Sequence, residues 1–289
     1  MFKIMGYDLI LRIRKLKKIY DINIYYKIYG IEPVENRRFY NIGAGEFQHT
    51  AWTNVDHESE WYKDVQGSNM GIDWDLLTLT PIPVEDNSAE IVYSSHTIEH
   101  INNEAAQNMF NESYRILKQG GVLRITTPNI DLDFRAYKTN DRNYFYWIDQ
   151  YSVKTPKKLE RVQLNKPLNE ASIQQIFLWH FASSVSLLHN DGAPERINDE
   201  KLDEIFQELD YEEALDYCTS KCSLEVQRKY PGNHINWWNK NKLFQMLSIA
   251  GFKNIYLSGY GQSKAPVLRN TMLFDTTHPK ISLYVEAIK

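Results

Sequence analysis

Hydrophobic positions change their spacing three times along this chain. Ile10, Ile13, Leu16, Ile19 and Tyr20 recur at intervals that place them on one helix face. From residue 38, short apolar runs, each closed by polar or glycine-rich residues and followed by helical periodicity, predict the alternating strands and helices of an α/β domain. RFYNIG (38–43), TNVD (53–56), MGIDWDL (70–76), AEIVYSS (89–95) and GVLRITTP (121–128) read as five strands. Before the fifth, a helix is predicted from about Asn103 through Ala106, Met109, Phe110, Tyr114 and Leu117, stopping at Gly120 and Gly121. Between Asn129 and about Asn233 the strand signal gives way to helical stretches, notably 169–189 and 199–229. The strand–helix alternation then resumes, with a helix over 239–252 stopped by Gly251 and closing strands in NIYLSGY (254–260) and ISLYVEAIK (281–289). No internal repeat or low-complexity tract interrupts this order.

The pattern divides the chain into an N-terminal helical segment (1–37), a core (38–128 with 234–289) and a helical insertion (129–233) expected to cap the substrate site. With 289 residues, 43% hydrophobic and 24% charged, the composition is globular and excludes disordered and fibrous classes. A net charge of -4 speaks against a protein built to neutralise nucleic-acid phosphates. Residues 1–38 hold nine Lys/Arg against four Asp/Glu, and Arg12, Arg14, Lys15, Lys17 and Lys18 interrupt any apolar core of a signal peptide or membrane span. The segment reads as a scaffold helix with a solvated basic face, docking to a membrane surface or a protein being the alternative, and the protein as cytoplasmic. Residues 195–216 carry ten Asp/Glu against two Lys/Arg, read as a solvated helix face rather than a steering patch for a cationic substrate. Cys218 and Cys222 lack the partners of a disulfide framework or a zinc site and read as reduced thiols. No cluster with metal-ligand spacing is evident, so no metal is expected.

In YNIGAGEF (40–47) a strand runs into a turn with Gly43 and Gly45, where no side chain hinders a nucleotide-like ligand. The dinucleotide pattern G-x-G-x-x-G fails, because its last position, counted from Gly43, is Gln48. Asp56, thirteen residues beyond Gly43, offers a carboxylate to both hydroxyls of a ribose. Asp73 and Asp75, or their backbone, stand where an adenine edge can be met.

These segments, in this order, resemble the class I S-adenosylmethionine-dependent methyltransferases, specifically the type-11 methyltransferase family. YNIGAGEF resembles its glycine loop, NVD its ribose acid, WDLLTLTPIPVEDNSAEIVYSSHTIEHI (74–101) its run of acid, proline-bearing loop, fourth strand and histidine motif, and RILKQGGVLRITTPN (115–129) its helix and fifth strand. HINWWNKNKLFQML (234–247) resembles the segment before its late helix. The resemblance covers about 38–130 and 234–258. It departs from the family at Asn41, usually an acid, and at Phe47, usually a third glycine. It implies a Rossmann-like α/β fold with a seven-stranded, mostly parallel sheet, the last strand antiparallel, carrying a helical insertion. It implies S-adenosylmethionine as cofactor, S-adenosylhomocysteine as product, and cofactor contacts from Asn41, Gly43, Ala44, Gly45, Glu46, Asp56, His57, Asp75, Leu76, Ser95 and His96.

Because the sulfonium carries the activated methyl, the protein must mainly align an acceptor and exclude water, and an oxygen acceptor also needs its proton removed. His96 ends the fourth strand, and Glu99 and His100 follow at i+3 and i+4, a candidate relay. Alternatively, His96 meets the cofactor through its backbone while Glu99 and His100 brace a helix. His234 can enter the pocket from above; His180 and His189 lie in the insertion. Aromatic residues in DRNYFYWIDQY (141–151), with Trp237 and Trp238, can line an acceptor pocket or fill a core. SSHTIEH stands where enzymes that methylate DNA amino groups carry Asn/Asp-Pro-Pro-aromatic, which disfavours a DNA substrate. The expected activity is O-methylation of a small molecule or a sugar/glycan, as in surface-polysaccharide biosynthesis. An N-methyltransferase, a non-catalytic cofactor-binding protein and a scaffold are the alternatives.

Overall fold

The structure, a computed structural model, describes residues 21–59, 61–62, 71–151, 163–189 and 195–289. The basic and apolar residues singled out between Ile10 and Tyr20 lie outside this set. The chain enters through helix α1 (21–29) and a short α2 (Ile31–Glu35), then builds strands β1 (Phe39–Ile42), β2 (Trp52–Asp56), β3 (Ile72–Asp73), β4 (Ala89–Ser95) and β5 (Leu117–Pro128). Strands β6 (Asn254–Leu257) and β7 (Ser282–Ile288) complete a seven-stranded sheet of order β3-β2-β1-β4-β5-β7-β6. The first five strands are parallel, and β7 runs antiparallel to both β5 and β6. This is the Rossmann-like methyltransferase arrangement that the strand pattern and the resemblance predict. Strand order reverses at β1, flanked by β2 on one side and β4 on the other, which opens a crevice at their carboxyl ends.

Helix α3 (Asn103–Ile116) buries Ala105, Ala106, Met109, Phe110 and Ile116 at helical spacing against the sheet, and Asn102 starts it by accepting the Ala105 N–H. It ends before the predicted stop. Leu117 is already extended and pairs with Ala89, with an irregular register before Ile91, so sheet pairing takes these residues from the helix. Gly120, at φ 79°, instead turns the bulged start of β5 and donates its N–H to the Lys289 carbonyl.

Helix α4 (Ile130–Lys138) leaves β5, followed by α5 (Ile173–Phe181), α6 (Asp199–Glu208), α7 (Tyr211–Ser220), α8 (Leu224–Lys229) and α9 (Lys240–Ile249). Asn129, Ser172, Asn198, Ser223 and Asn239 cap all but α7 with side-chain oxygens. Helices α4 to α7 enclose an apolar cluster of their own, with Phe145, Trp147, Ile176, Phe177, Leu202, Leu215 and Trp237. The sheet has two further clusters, one with Ile42, Val92, Phe110, Trp238 and Leu243, the other with Tyr25, Phe39, Trp52 and Phe274. Each fully buried large apolar side chain contributes about 1.5–3 kcal/mol. On α6 and α7, Glu200, Glu204, Glu208, Glu212, Glu213 and Asp216 are exposed, the solvated face expected of this acidic stretch. Cys218 is buried in the insertion and not disulfide-bonded to Cys222. Among the described residues, no helix is long and apolar enough to cross a membrane.

Candidate active site

Beyond β1 the backbone turns through Gly43 (φ 71°) and Gly45 (φ 53°), conformations costly to any residue with a Cβ. The two glycines serve different ends. A Cβ on Gly43 would stand 2.2 Å from Thr97 Oγ1, whereas one on Gly45 would meet nothing within 4 Å and project into open space. Asp56, ending β2, accepts the N–H of Gly45 on Oδ2 and that of His57 on Oδ1, both at 2.8 Å. His57 Nδ1 lies 2.9 Å from Asp73 Oδ1. Asp75 caps the 3-10 turn Leu76–Thr78 through the Leu77 N–H, and its other oxygen lies 3.2 Å from the Arg228 guanidinium of α8.

These groups wall a cavity of about 300 Å³, closed by Val55, Tyr62, Trp74, Leu76 and Leu77 and by Gln227, Arg228 and Pro231 of the insertion. Of the predicted cofactor residues, Gly43, Gly45, Asp56, His57, Asp75, Leu76 and His96 line it. Asn41 and Ala44 are buried and Glu46 is exposed, so none of the three reaches the wall; Ser95 faces a second cavity.

That second cavity, about 410 Å³, lies between the carboxyl ends of β4 and β5 and the insertion. It shares Tyr62, His96 and His100 with the first. Trp61, Trp147 and Trp179 supply aromatic walls, and His96, His100, His180, His234 and His278, five of the chain's eight histidines, converge on it. Trp237 and Trp238 do not line it: they are core residues.

His96 adopts φ 52°, fixed by its N–H bond to the Thr126 carbonyl at 2.8 Å. Its Nε2 lies 2.8 Å from Ser282 Oγ and its Nδ1 3.1 Å from Glu99 Oε1. Glu99 sits in the turn Ile98–His100, and its Oε2 accepts the Thr127 hydroxyl. Burial alone would raise the Glu99 carboxyl, but the adjacent His96 outweighs it and holds the group down at about 2. The predicted relay is therefore split: His96 meets Glu99, while His100 turns towards His234, their rings 4.7 Å apart and nearly perpendicular.

His100 Nδ1 lies 2.9 Å from the Asn233 carbonyl and His234 Nδ1 2.6 Å from the His180 carbonyl. A carbonyl only accepts, so each ring carries a proton on Nδ1, which leaves Nε2 as the nitrogen free of the main chain. Burial, then His100, pushes His234 well below the usual histidine range, so it is neutral at pH 7. His180 Nδ1 donates to the buried Asp133 at 2.5 Å, and Asp133 also accepts the Tyr144 hydroxyl at 2.7 Å. Trp147 stacks on the His180 ring. His278 is pushed down to about 4 by burial, then by His96 and His180. Burial raises the Tyr62 hydroxyl far above neutrality, leaving it a hydrogen-bond donor. His189, by contrast, does not line the cavity; it meets Asn233 Oδ1 of the wall at 2.7 Å.

Sequence reasoning did not single out Tyr62, Thr97, Asp133, Arg228 or His278. Each is one polar residue in a loop or helix with no spacing signal; Asp133, three residues into the helix after β5, alone had a positional hint.

Residues 43–125 match the type-11 family model described as a methyltransferase domain. The match begins at the glycine turn and ends within β5, taking in the lower walls of both cavities. Among solved structures, the chain is similar to a SAM-dependent methyltransferase from Archaeoglobus fulgidus (13% identical, 96% of this chain and 94% of that one, TM-score 0.39). It is also similar to an S-adenosylmethionine-dependent methyltransferase from Mesorhizobium loti (12% identical, 87% and 90% covered, TM-score 0.38). A third is phosphoethanolamine N-methyltransferase 2 from Haemonchus contortus in complex with S-adenosyl-L-methionine (12% identical, 93% and 52% covered, TM-score 0.36). No curated protein sequence matches the chain.

Proposed function

We propose that this chain, whose residues 43–125 match the type-11 methyltransferase model, is a class I S-adenosylmethionine-dependent methyltransferase that methylates a hydroxyl of a small-molecule or sugar acceptor held beneath the 129–233 insertion. The observation that carries this reading is the shared wall of Tyr62, His96 and His100 between two cavities of different character. One is shaped for a nucleoside and the other is lined by histidine and tryptophan.

The first cavity fits S-adenosylmethionine. Gly45 leaves the space a Cβ would fill, Asp56 has carboxylate lone pairs beyond the two it uses, and Val55, Trp74, Leu76 and Leu77 form apolar walls for an adenine. Bound there, the cofactor supplies a methyl group already activated on sulfur. The insertion's Gln227, Arg228 and Pro231 help to exclude water.

In the second cavity, tryptophan faces suit the apolar face of a sugar ring. About 410 Å³ lies near the lower end of the usual 300–1,000 Å³ range of ligand pockets, which fits one sugar unit or a chain terminus. His180, oriented by Asp133, is the proton acceptor in this scheme. Its Nδ1–H is held by a buried carboxylate that stabilises the imidazolium, and Nε2 is left with a lone pair. With the cofactor bound, its sulfonium would supply the methyl group to the acceptor oxygen and leave as S-adenosylhomocysteine, while His180 Nε2 would take the hydroxyl proton. Two unlinked cysteines agree with work in a reducing, cytoplasmic compartment. Surface-polysaccharide building blocks are the acceptor class of first choice.

The test is calorimetric titration of S-adenosylhomocysteine into the wild type and Asp56→Ala, followed by a screen of sugar and small hydroxyl acceptors with methyl-labelled cofactor. Binding lost in the variant and label recovered as a methyl ether support the reading. Label recovered on nitrogen replaces O-methylation by N-methylation, and absence of S-adenosylhomocysteine binding overturns the cofactor site.

A further inference from the structure

We propose that Glu99, His100 and His234 form a binding site for one divalent transition-metal ion in the wall of the acceptor cavity. Their candidate ligand atoms all lie within 4.8 Å of one another, the one such grouping among the described residues. No spacing in the sequence announces it, because Glu99 and His100 are adjacent while His234 arrives from beyond the insertion.

Three further observations bear on the site. First, His100 and His234 each donate Nδ1–H to a main-chain carbonyl, the outer hydrogen bond that fixes a ligating imidazole and leaves Nε2 for a metal. Second, Glu99 is 1% exposed, and its Oε2 is steadied by the Thr127 hydroxyl while Oε1 makes no hydrogen bond. His96 Nδ1 stands 3.1 Å from Oε1, outside hydrogen-bond geometry. A buried carboxylate oxygen without a donor is costly unless something else satisfies it. Third, the group faces the roomier of the two cavities, so an ion there retains open positions for water or an acceptor.

Two imidazoles and one carboxylate are a borderline-soft set that favours zinc, cobalt, iron or manganese over magnesium or calcium. Bonds of about 2.0–2.2 Å set tetrahedral ligand atoms roughly 3.3 Å apart, so the three side chains close inward by about an ångström on binding. The site stands independently of methyl transfer. Its use does rest on the reading above: an acceptor hydroxyl on an open position is oriented and acidified, and its proton passes to His180 as before.

The experiment is equilibrium dialysis of the full chain against cobalt(II), zinc or manganese with elemental analysis, together with the visible spectrum of the cobalt form. The wild type, His234→Ala and Glu99→Gln are compared, and S-adenosylhomocysteine binding is measured in each as the check on folding. One ion per wild-type chain, with at least a tenfold weaker affinity in His234→Ala and unchanged S-adenosylhomocysteine binding, supports the site. No stoichiometric ion in the wild type overturns it, and so does equal retention in a folded His234→Ala or Glu99→Gln protein. Wild-type protein that binds cobalt but not S-adenosylhomocysteine counts against the methyltransferase reading and leaves the metal site standing.

Discussion

At positions 43 and 45 the same residue type answers two different constraints, and substitution separates them. Gly43→Ala places a Cβ inside Thr97 and strains φ, so a destabilisation of about 2–4 kcal/mol is expected from backbone strain plus steric overlap. Gly45→Ala carries the backbone term alone, about 1–2 kcal/mol, yet fills the cleft. Melting temperature is expected to fall further for Gly43→Ala, whereas folded Gly45→Ala protein loses S-adenosylhomocysteine affinity; equal melting of the two would refute the distinction. At His180, replacement by Gln removes the proton acceptor, and kcat is expected to drop by roughly 10²–10⁴-fold with cofactor affinity retained. Asp133→Asn is expected to follow it, because the amide no longer stabilises the imidazolium; an unaltered kcat in both assigns the proton to another group. The glycines and Asp56 were legible in the sequence because a strand-turn-strand pattern locates them. His278 was not, since a lone histidine before the last strand carries no periodicity, and its approach to His96 is set by β7 returning beside β5.

Elements were easier to read than their ends. All seven strands fall where alternating apolar runs place them, but α3 stops at Ile116 because Leu117 is claimed by Ala89 of β4, a tertiary pairing that helix signals cannot show. The centre of β5 carries a charge that its pattern conceals. Arg124, fully buried, meets Asp275 at 2.5 and 3.1 Å and Glu286 of β7 at 3.0 Å, and donates to the Gly259 carbonyl. It thus ties β5 and β7 to the segments between β6 and β7. Arg124→Leu leaves two buried carboxylates without their cation and is expected to cost about 3–5 kcal/mol. Chemical denaturation checks this, and a loss below about 1 kcal/mol would show that the network relaxes. The Arg228–Asp75 pair across the cofactor cleft is exposed on the arginine side, so its removal is expected to leave stability within about 0.5 kcal/mol.

For the molecule as a whole, the buried histidines and Glu99 press stability the same way as the solution turns acid. His278 is neutral when folded down to about 4, whereas an unfolded histidine takes its proton near 6.5. The unfolded chain therefore binds protons first, and stability falls as pH drops through this window. His234 adds to the same loss, and Glu99, held at about 2, extends it below the usual carboxyl range. Melting temperature is expected to decline steadily below about pH 6.5, with a shallower decline in His278→Phe. A melting temperature flat between pH 7 and 4.5 would contradict these burial effects.

Trp237 and Trp238 are neighbours in the chain but belong to different apolar clusters, the first to the insertion and the second to the sheet. At this crossing a single peptide bond separates the two clusters, and parity matters there. Removing or adding one residue at this point turns each indole towards the other's cluster, whereas extra length in the exposed stretch around Asp210 shifts neither. Any exchange of the insertion for another, by recombination in nature or by grafting in the laboratory, has to carry this pair across as one unit.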